Sequence, residues 1–184
     1  MKPLEPLPIE FDEAKHQYRW LPTGEVMSIS TTGVLSASKD AKALEAIERT
    51  KAIWAPRGTH VHWCLEQFLK GRPKSELMGG EYDNYVGKLL DYPLWETFEP
   101  IALEYRLCDL RKNCGASLDV LGYDHQLERL CLMDLKTLGK SGRPYSTDAQ
   151  LGSYLSMLID HHKLVVDECL TVWCGPGETH LGSP

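Results

Sequence analysis

The sequence has no long uncharged apolar run, no closely spaced cysteine pair and no excess of positive charge. Without an uncharged span of about 20 residues, a transmembrane helix is excluded. Residues 1–10 contain three prolines and two acids instead of a basic region followed by an apolar stretch, so we expect no signal peptide. The six cysteines form no C-x-x-C pair and are scattered through apolar surroundings, which is typical of reduced, buried thiols. We therefore expect a cytoplasmic protein without membrane contact.

Positive charge is in deficit, because 26 Asp and Glu residues face 20 Lys and Arg residues, for a net charge of −6. No global field attracts nucleic acid to such a chain, so any contact with DNA requires a local basic patch. The balance also fits a site of carboxylates that gains positive charge when a metal binds. The length of 184 residues, with 42% hydrophobic residues, predicts a single domain over residues 1–184.

The first half of the chain predicts a hairpin followed by three helices. Two extended runs, 16–20 and 26–30, flank a turn marked by Pro22 and Gly24, which indicates an N-terminal hairpin over about 16–30. Apolar residues at helical spacing predict a helix over 38–54, and a second helix follows Pro56 over 57–70. Residues 81–98 are interpreted as another helix and an irregular stretch.

The second half predicts an antiparallel meander of three strands, 100–109, 115–123 and 129–137, with a turn over 124–128. Residues 138–148 are rich in glycine and basic residues and should form an exposed loop. A helix capped by Thr147 or Asp148 then runs to about His161. A buried strand over 164–173 follows, and we expect the remaining residues to be frayed.

Two strands of this meander carry the acids of a candidate site. Asp134 and Lys136 share one strand face because side chains alternate. A turn centred between residues 126 and 127 pairs residue i with residue 253 − i, which places Asp119 opposite Asp134. Like charges in such a pair destabilise a sheet by about 0.2–1 kcal/mol. A hard divalent cation, Mg²⁺ or Mn²⁺, removes that repulsion and leaves open positions for a phosphate and a water.

A solvated ion pair is the alternative interpretation of Asp134 and Lys136, and for an isolated D-x-K tripeptide it is the commoner one. Here the flanking strand residues are almost all apolar, which predicts burial on both faces, where two acids need compensation. This context favours a functional site in which Lys136 orients or deprotonates the attacking water.

One histidine is expected to complete the site. A helical period places His60 and His62 about 200° apart, so at most one faces the acids, and we choose His62. The alternative is an ordinary histidine satisfied by a carbonyl. A different class of function, a zinc-binding interaction protein, would use His60, His62 and Cys64, whose alternate spacing converges only on a strand.

Three further polar residues could support the site. Gln150 and Tyr154 are four residues apart, so they lie on one face of the helix after the D-x-K strand. They either hold Lys136 or a phosphate, or form an ordinary polar helix edge. Glu104 extends the acid cluster or lies exposed on an edge strand.

Together these motifs resemble, in order, the PD-(D/E)XK nuclease superfamily, and most of all its RecB-like exonuclease branch with phage-type and mitochondrial genome-maintenance enzymes. The likeness covers about residues 11–173. Its motifs are G-x-x-x-H at 58–62, Glu104, A-S-L-D at 116–119, D-L-K-T at 134–137, and Q-x-x-x-Y at 150–154, preceded by a lead-in at 16–32. The sequence departs from the pattern at Ala116, where the family has glycine and this chain has it one place earlier, at Gly115.

The resemblance implies a restriction-endonuclease-like fold of the α/β (α+β mixed) class, with a central mixed sheet flanked by helices and a catalytic core over about 57–173. It implies that His62, Asp119, Asp134 and the Leu135 carbonyl bind Mg²⁺ or Mn²⁺. Lys136 is then the catalytic lysine, with Glu104, Gln150 and Tyr154 in support. No iron–sulfur cluster is expected, because only Cys169 and Cys174 lie in the C-terminal region where relatives carry their cluster.

The expected substrate is DNA, either single-stranded or at duplex ends, cut as by an exonuclease. The candidates for the local basic patch are Lys140 and Arg143 of the 138–148 loop together with Lys136, aided by Arg57, Arg106, Arg111 and Lys112. Tyr145 could stack on an unpaired base. An ordinary solvated loop is the alternative. A catalytically inactive nucleic-acid-binding module on the same fold is the rival function. The sequence does not define an oligomeric state, and a homo-oligomer stays open.

Overall fold

Four strands, three helices, three strands, one helix and two strands follow one another along residues 2–183, the part of the chain that the structure, a computed structural model, describes. The strands are β1 (Ile9–Asp12), β2 (Gln17–Trp20), β3 (Glu25–Val26), β4 (Ile29–Ser30), β5 (Phe98–Asp109), β6 (Cys114–Asp124), β7 (Arg129–Thr137), β8 (Glu168–Cys174) and β9 (Thr179–Gly182). The helices are α1 (Thr31–Ala37), α2 (Ala41–Leu69), α3 (Asp83–Leu90) and α4 (Asp148–His162), with short 3₁₀ turns at Lys74–Glu76 and Pro93–Glu96.

A mixed six-stranded sheet forms the centre of the fold, in the order β4-β6-β7-β8-β9, with β5 paired to the free edge of β6. The β4–β6 and β7–β8 pairs are parallel, and the other pairs of this sheet are antiparallel. A second sheet, β1-β2-β3, is small and antiparallel. The expected class, a mixed central sheet flanked by helices, is therefore confirmed.

Two apolar clusters cover the two faces of the large sheet. One joins Val61 and Leu65 of α2 and Leu89 of α3 to strand residues such as Met133 and Val172. The other joins Leu151 and Leu158 of α4 to residues such as Leu118, Leu121 and Leu132. Burial on both faces explains why β6 and β7 are almost continuously apolar.

The N-terminal third differs from the prediction in three ways. The hairpin is present, but it pairs β2 with β3, while residues 29–30 leave it to join the large sheet beside β6. The short helix α1 was not predicted. The two helices predicted on either side of Pro56 form the single helix α2. Proline removes one backbone donor, and the carbonyl four residues earlier, at Ala52, belongs to an exposed residue that water can reach.

The C-terminal half follows the prediction more closely. The three strands of the meander and the exposed loop at 138–148 are confirmed. The predicted capping of α4 is wrong in detail, because Thr147 makes no capping bond and its hydroxyl instead contacts Thr171. The expectation of a frayed end is also wrong, since β9 pairs with β8.

The cysteines agree with the expectation of reduced thiols. All six are free, and five of them are buried. Among residues 2–183, no helix is both long enough and apolar enough to cross a membrane.

Candidate metal and catalytic site

Three acids lie in one row across neighbouring strands. The β5–β6 register pairs Leu103 with Val120 and Tyr105 with Leu118, which places Glu104 opposite Asp119. The predicted β6–β7 register is confirmed over five pairs, from Val120–Met133 to Asp124–Arg129. One step beyond the Val120–Met133 pair, the same register aligns Asp119 with Asp134.

Asp119 lies where the sheet divides. On the edge opposite β5, β6 pairs with β4 at Cys114 and Gly115 and with β7 only from Val120 onward. The carboxylate of Asp119 fills the gap, because its Oδ2 accepts a hydrogen bond of 2.6 Å from the backbone N–H of Leu135. The other oxygen, Oδ1, is thereby directed away from β7 and toward α2.

His62 on α2 meets two of these acids. Its Nδ1 lies 3.4 Å from Oε1 of Glu104 and 3.5 Å from Oδ1 of Asp119. One ligand atom from each of the three residues lies within 4.8 Å of the other two. We call this set the metal triad. The sequence predicted that only one of His60 and His62 faces the acids, and this placement is consistent with it. His60 instead contacts Cys64, with 3.5 Å between Nε2 and Sγ.

A zinc site formed by His60, His62 and Cys64 does not assemble. His60 and Cys64 touch each other, but the His62 ring lies against the acids of the sheet. The helical conformation of α2 separates them, as expected for alternate residues on a helix.

The side chain of Asp134 is fully buried behind the metal triad. Its Oδ2 lies 2.6 Å from Nζ of Lys136, and its Oδ1 accepts a hydrogen bond of 2.8 Å from Nε2 of Gln150. The same amide nitrogen donates to the hydroxyl of Tyr154 at 2.6 Å. Gln150 and Tyr154 of α4 therefore position Asp134, whereas the sequence had suggested that they hold Lys136 or a phosphate.

The charges of the triad stabilise one another. Burial lowers the pKa of His62, but the nearby Asp119 and Glu104 carboxylates outweigh it and raise that pKa to about 10. Burial raises the pKa of Asp119, but His62, Lys136 and the Leu135 N–H favour the carboxylate and bring the pKa below its usual range. Without a metal, a proton on His62 therefore holds the triad together.

In the Asp134–Lys136 pair the pKa of the lysine is raised, as in any ion pair, but the pKa of the aspartate is raised as well instead of lowered. Burial and the charge of Asp119 raise the pKa of Asp134 to about 6, although Lys136 opposes this shift. Burial lowers the pKa of Lys136, but Asp134 and Asp119 outweigh it and raise that pKa. Lys136 is thus a cation at neutral pH, and Asp134 is the group here that titrates near neutrality.

The donor set of the triad suits a divalent cation. Two carboxylate oxygens are the ligands that Mg²⁺ and Mn²⁺ prefer, and an imidazole nitrogen shifts the preference toward Mn²⁺ and other transition metals. Asp134 was expected as a ligand, but its two oxygens already meet Lys136 and Gln150 and it is not part of the triad. Leu135 contributes its N–H to Asp119. Glu104, expected only in support, is instead one of the three residues that could hold the cation.

A signal for Glu104 was present in the sequence. The turn between β5 and β6 is centred between Arg111 and Lys112, so residue i pairs with residue 223 − i. The same arithmetic, which predicted the observed β6–β7 register, aligns Glu104 with Asp119.

The residues expected to contact nucleic acid fall into two groups. Lys140, Arg143 and Tyr145 are exposed on the loop after β7, and the Tyr145 ring packs edge-on against Trp173, with 5.1 Å between ring centroids. Arg57 is buried, so its placement in an exposed basic patch is wrong. Its guanidinium stacks over Tyr85 at 5.1 Å, and its Nε donates to the Thr137 hydroxyl at 3.4 Å, which fastens α2 to the end of β7.

Comparison with family models and with curated proteins adds no relative. No family model matches the chain, and no curated protein matches it. The geometry described above is therefore what supports a function for this chain.

Proposed function

We propose that this protein is a divalent-metal-dependent DNA nuclease with a restriction-endonuclease-like core, of the PD-(D/E)XK type, that hydrolyses phosphodiester bonds. The observation that carries the proposal is the row formed by the metal triad and the Asp134–Lys136 pair. A metal-binding set beside a buried lysine and acid provides what phosphodiester hydrolysis needs, a cation for the phosphate and a positioned proton-transfer group.

Glu104, Asp119 and His62 hold the cation in this proposal. When bound, Mg²⁺ or Mn²⁺ supplies Lewis-acid stabilisation of the phosphate oxygens and lowers the pKa of a water ligand. The remaining residues organise the reaction around it. Gln150 holds one oxygen of Asp134, so that the other oxygen fixes the ammonium of Lys136 beside the triad.

Lys136 acts as a cation. Its raised pKa makes it a poor general base at neutral pH, so it donates hydrogen bonds to the attacking water or to the charged phosphate oxygens. Its side chain is 20% exposed, so part of it is open to solvent. Asp134, with a pKa of about 6, can take up a proton through that ammonium.

The substrate we propose is single-stranded DNA or a DNA end, cut as by an exonuclease. Support comes from the loop after β7, where Lys140 and Arg143 are exposed and Tyr145 offers a ring to an unpaired base. The six free thiols favour a reducing compartment such as the cytoplasm.

Metal-dependent cleavage tests the proposal. End-labelled single-stranded, duplex and circular DNA are incubated with Mn²⁺, Mg²⁺ or EDTA, using the wild type, Asp119→Asn and Lys136→Ala. We expect cleavage only with metal, lowered by about 10²–10⁴-fold in each variant. Lys88→Ala, an exposed lysine on α3 outside the proposed site and the proposed DNA-binding loop, is the matched control and should retain most of the activity.

Cleavage of circular DNA as fast as of linear DNA would contradict the requirement for an end. Equal rates in the wild type and in Lys136→Ala would contradict the proposed site. DNA binding without any cleavage would favour the inactive binding module instead.

A further inference from the structure

Arg106 lies one step along the sheet from the metal triad. It pairs with Ser117 across β5 and β6, two residues along each strand from Glu104 and Asp119. Tyr105 and Leu118, between these positions, belong to the apolar cluster under α4, so Arg106 and Ser117 lie on the other face. Two residues along a strand correspond to about 6.6–6.8 Å. The guanidinium is therefore a neighbour of the triad but not part of it.

The surroundings hold Arg106 in one orientation. Its Nη1 donates to the Ser117 hydroxyl at 3.1 Å and to the Glu104 carbonyl at 3.3 Å. The guanidinium carbon lies 4.9 Å from the centroid of the Phe11 ring. Ser117 is itself bonded to the hydroxyl of Tyr18 at 2.9 Å. A guanidinium fixed in this way loses little further freedom when it binds a ligand.

The positive charge of Arg106 has no acidic partner in the part of the chain that the structure describes. Its neighbour Glu104 instead directs its carboxylate to His62. In contrast, four other arginines each lie within 4.0 Å of a carboxylate; they are Arg19, Arg72, Arg111 and Arg129. Over residues 2–183, Nε and Nη2 of Arg106 make no hydrogen bond to the protein. These two nitrogens of the guanidinium group therefore remain as donors for an anion.

We propose that Arg106 binds a phosphate of the substrate strand next to the phosphate that is cleaved. The planar guanidinium presents parallel N–H donors that match phosphate oxygens. A bound strand would place one phosphate on the triad and the adjoining one between Arg106, Ser117 and Tyr18. This inference rests on the proposed function, since it assumes that DNA is the substrate. It adds a second phosphate position on the side of β5 and the small sheet.

A purely structural role for Arg106 predicts a different outcome. Its contact with Phe11 also fastens the small sheet to the large one, so its removal could lower stability alone. The salt dependence of DNA binding distinguishes the two roles, because each lost phosphate contact on a single strand lowers the slope of log Kd against log[salt] by about 0.7. A loss of stability does not change that slope.

The experiment measures binding of a fluorescent single-stranded oligonucleotide in EDTA, which keeps it independent of cleavage. We expect Arg106→Ala to weaken binding about tenfold at low salt and to reduce the slope by about 0.7. Arg111→Ala is the matched control, since Arg111 lies on the same β-hairpin and pairs with Asp160, and it should behave as wild type. A folded Arg106→Ala protein with the wild-type slope would overturn the proposal.

A second measurement uses the wild-type protein and remains informative if the variant does not fold. Arginines are modified with phenylglyoxal, and the peptides are quantified by mass spectrometry with and without the oligonucleotide. DNA should protect Arg106 but not Arg111, and an oligonucleotide with neutral methylphosphonate linkages should protect neither. Modification of Arg106 at the same rate with and without DNA would overturn the inference. If Arg106 is protected but no metal supports cleavage, the catalytic proposal fails, and the phosphate contact of Arg106 stands as part of a non-catalytic DNA-binding site.

Discussion

Metal binding should be coupled to the loss of a proton from His62. In the metal-free protein, Nδ1 of His62 lies between the carboxylates of Glu104 and Asp119, which raises its pKa to about 10. A cation in the triad needs the neutral imidazole as a ligand, so the proton must leave when the metal enters. The proton and the metal compete for one position.

The pKa sets the size of this effect. At pH 8, two units below a pKa of about 10, only about 1% of His62 is neutral. The apparent affinity for the metal therefore lies about a hundredfold below the affinity of the protein in which His62 is fully neutral. The affinity should therefore rise about tenfold per pH unit between pH 7 and pH 9. Asp134 contributes little in that range, because its pKa of about 6 leaves it mostly ionised.

Isothermal titration with Mn²⁺ measures both the affinity and the number of protons released, from buffers of different ionisation enthalpy. We expect about one proton per metal at pH 8. The variant His62→Asn should bind more weakly and should release no proton, while His125→Asn, on the exposed turn between β6 and β7, should match the wild type. A wild-type affinity that is constant from pH 7 to 9 would refute the reasoning.

Three further predictions concern the buried residues around the site. Gly122→Ala should lower the free energy of unfolding in urea by about 1–3 kcal/mol, because a Cβ there would lie 2.4 Å from the Phe98 ring; Gly139→Ala, with open space around it, is the control. The free energy of unfolding of the metal-free protein should fall as pH rises from about 4 to 6, because folded Asp134 keeps a proton that the unfolded chain has released. Urea unfolding of Asp134→Asn, repeated across this pH range, should not show that decrease. Gln150→Leu removes a donor to the Asp134 carboxylate, so it should raise the pKa of Asp134 and lower activity about 10–100-fold. The pH range over which stability falls should then extend to higher pH, and an unchanged range would contradict a positioning role for Gln150.

Local rules predicted the part of the fold that contains the site. Alternation of side chains and a turn of known centre gave the β6–β7 register, and with it the alignment of Asp119 and Asp134. Helical period separated His62 from His60. These predictions succeeded because each depends on residues close in sequence or on one short turn.

The predictions that were wrong concern residues whose position depends on tertiary structure. Residues 29–30 look like half of a hairpin. They join the large sheet because β7 pairs with β6 only from Val120 onward and leaves the first residues of that edge of β6 for β4. Arg57 looks like a surface arginine, and only the packing of α2 against β7 reveals that it is buried over Tyr85. Pro56 looks like a helix end, but at this exposed position α2 continues past it.

Glu104 adds a feature that neither periodicity nor turn arithmetic predicts. Its φ of 45° lies in the left-handed region, which costs a residue other than glycine about 1–3 kcal/mol. The side chains before and after Glu104 lie on opposite faces of the sheet, although residues two apart in a regular strand share a face. Leu103 packs with one core cluster and Tyr105 with the other. Val120 and Leu118 divide in the same way around Asp119. Both strands are therefore twisted at the two acids that meet His62. A strained residue within a strand, at Glu104 of β5, supports a functional rather than a purely structural role for the triad.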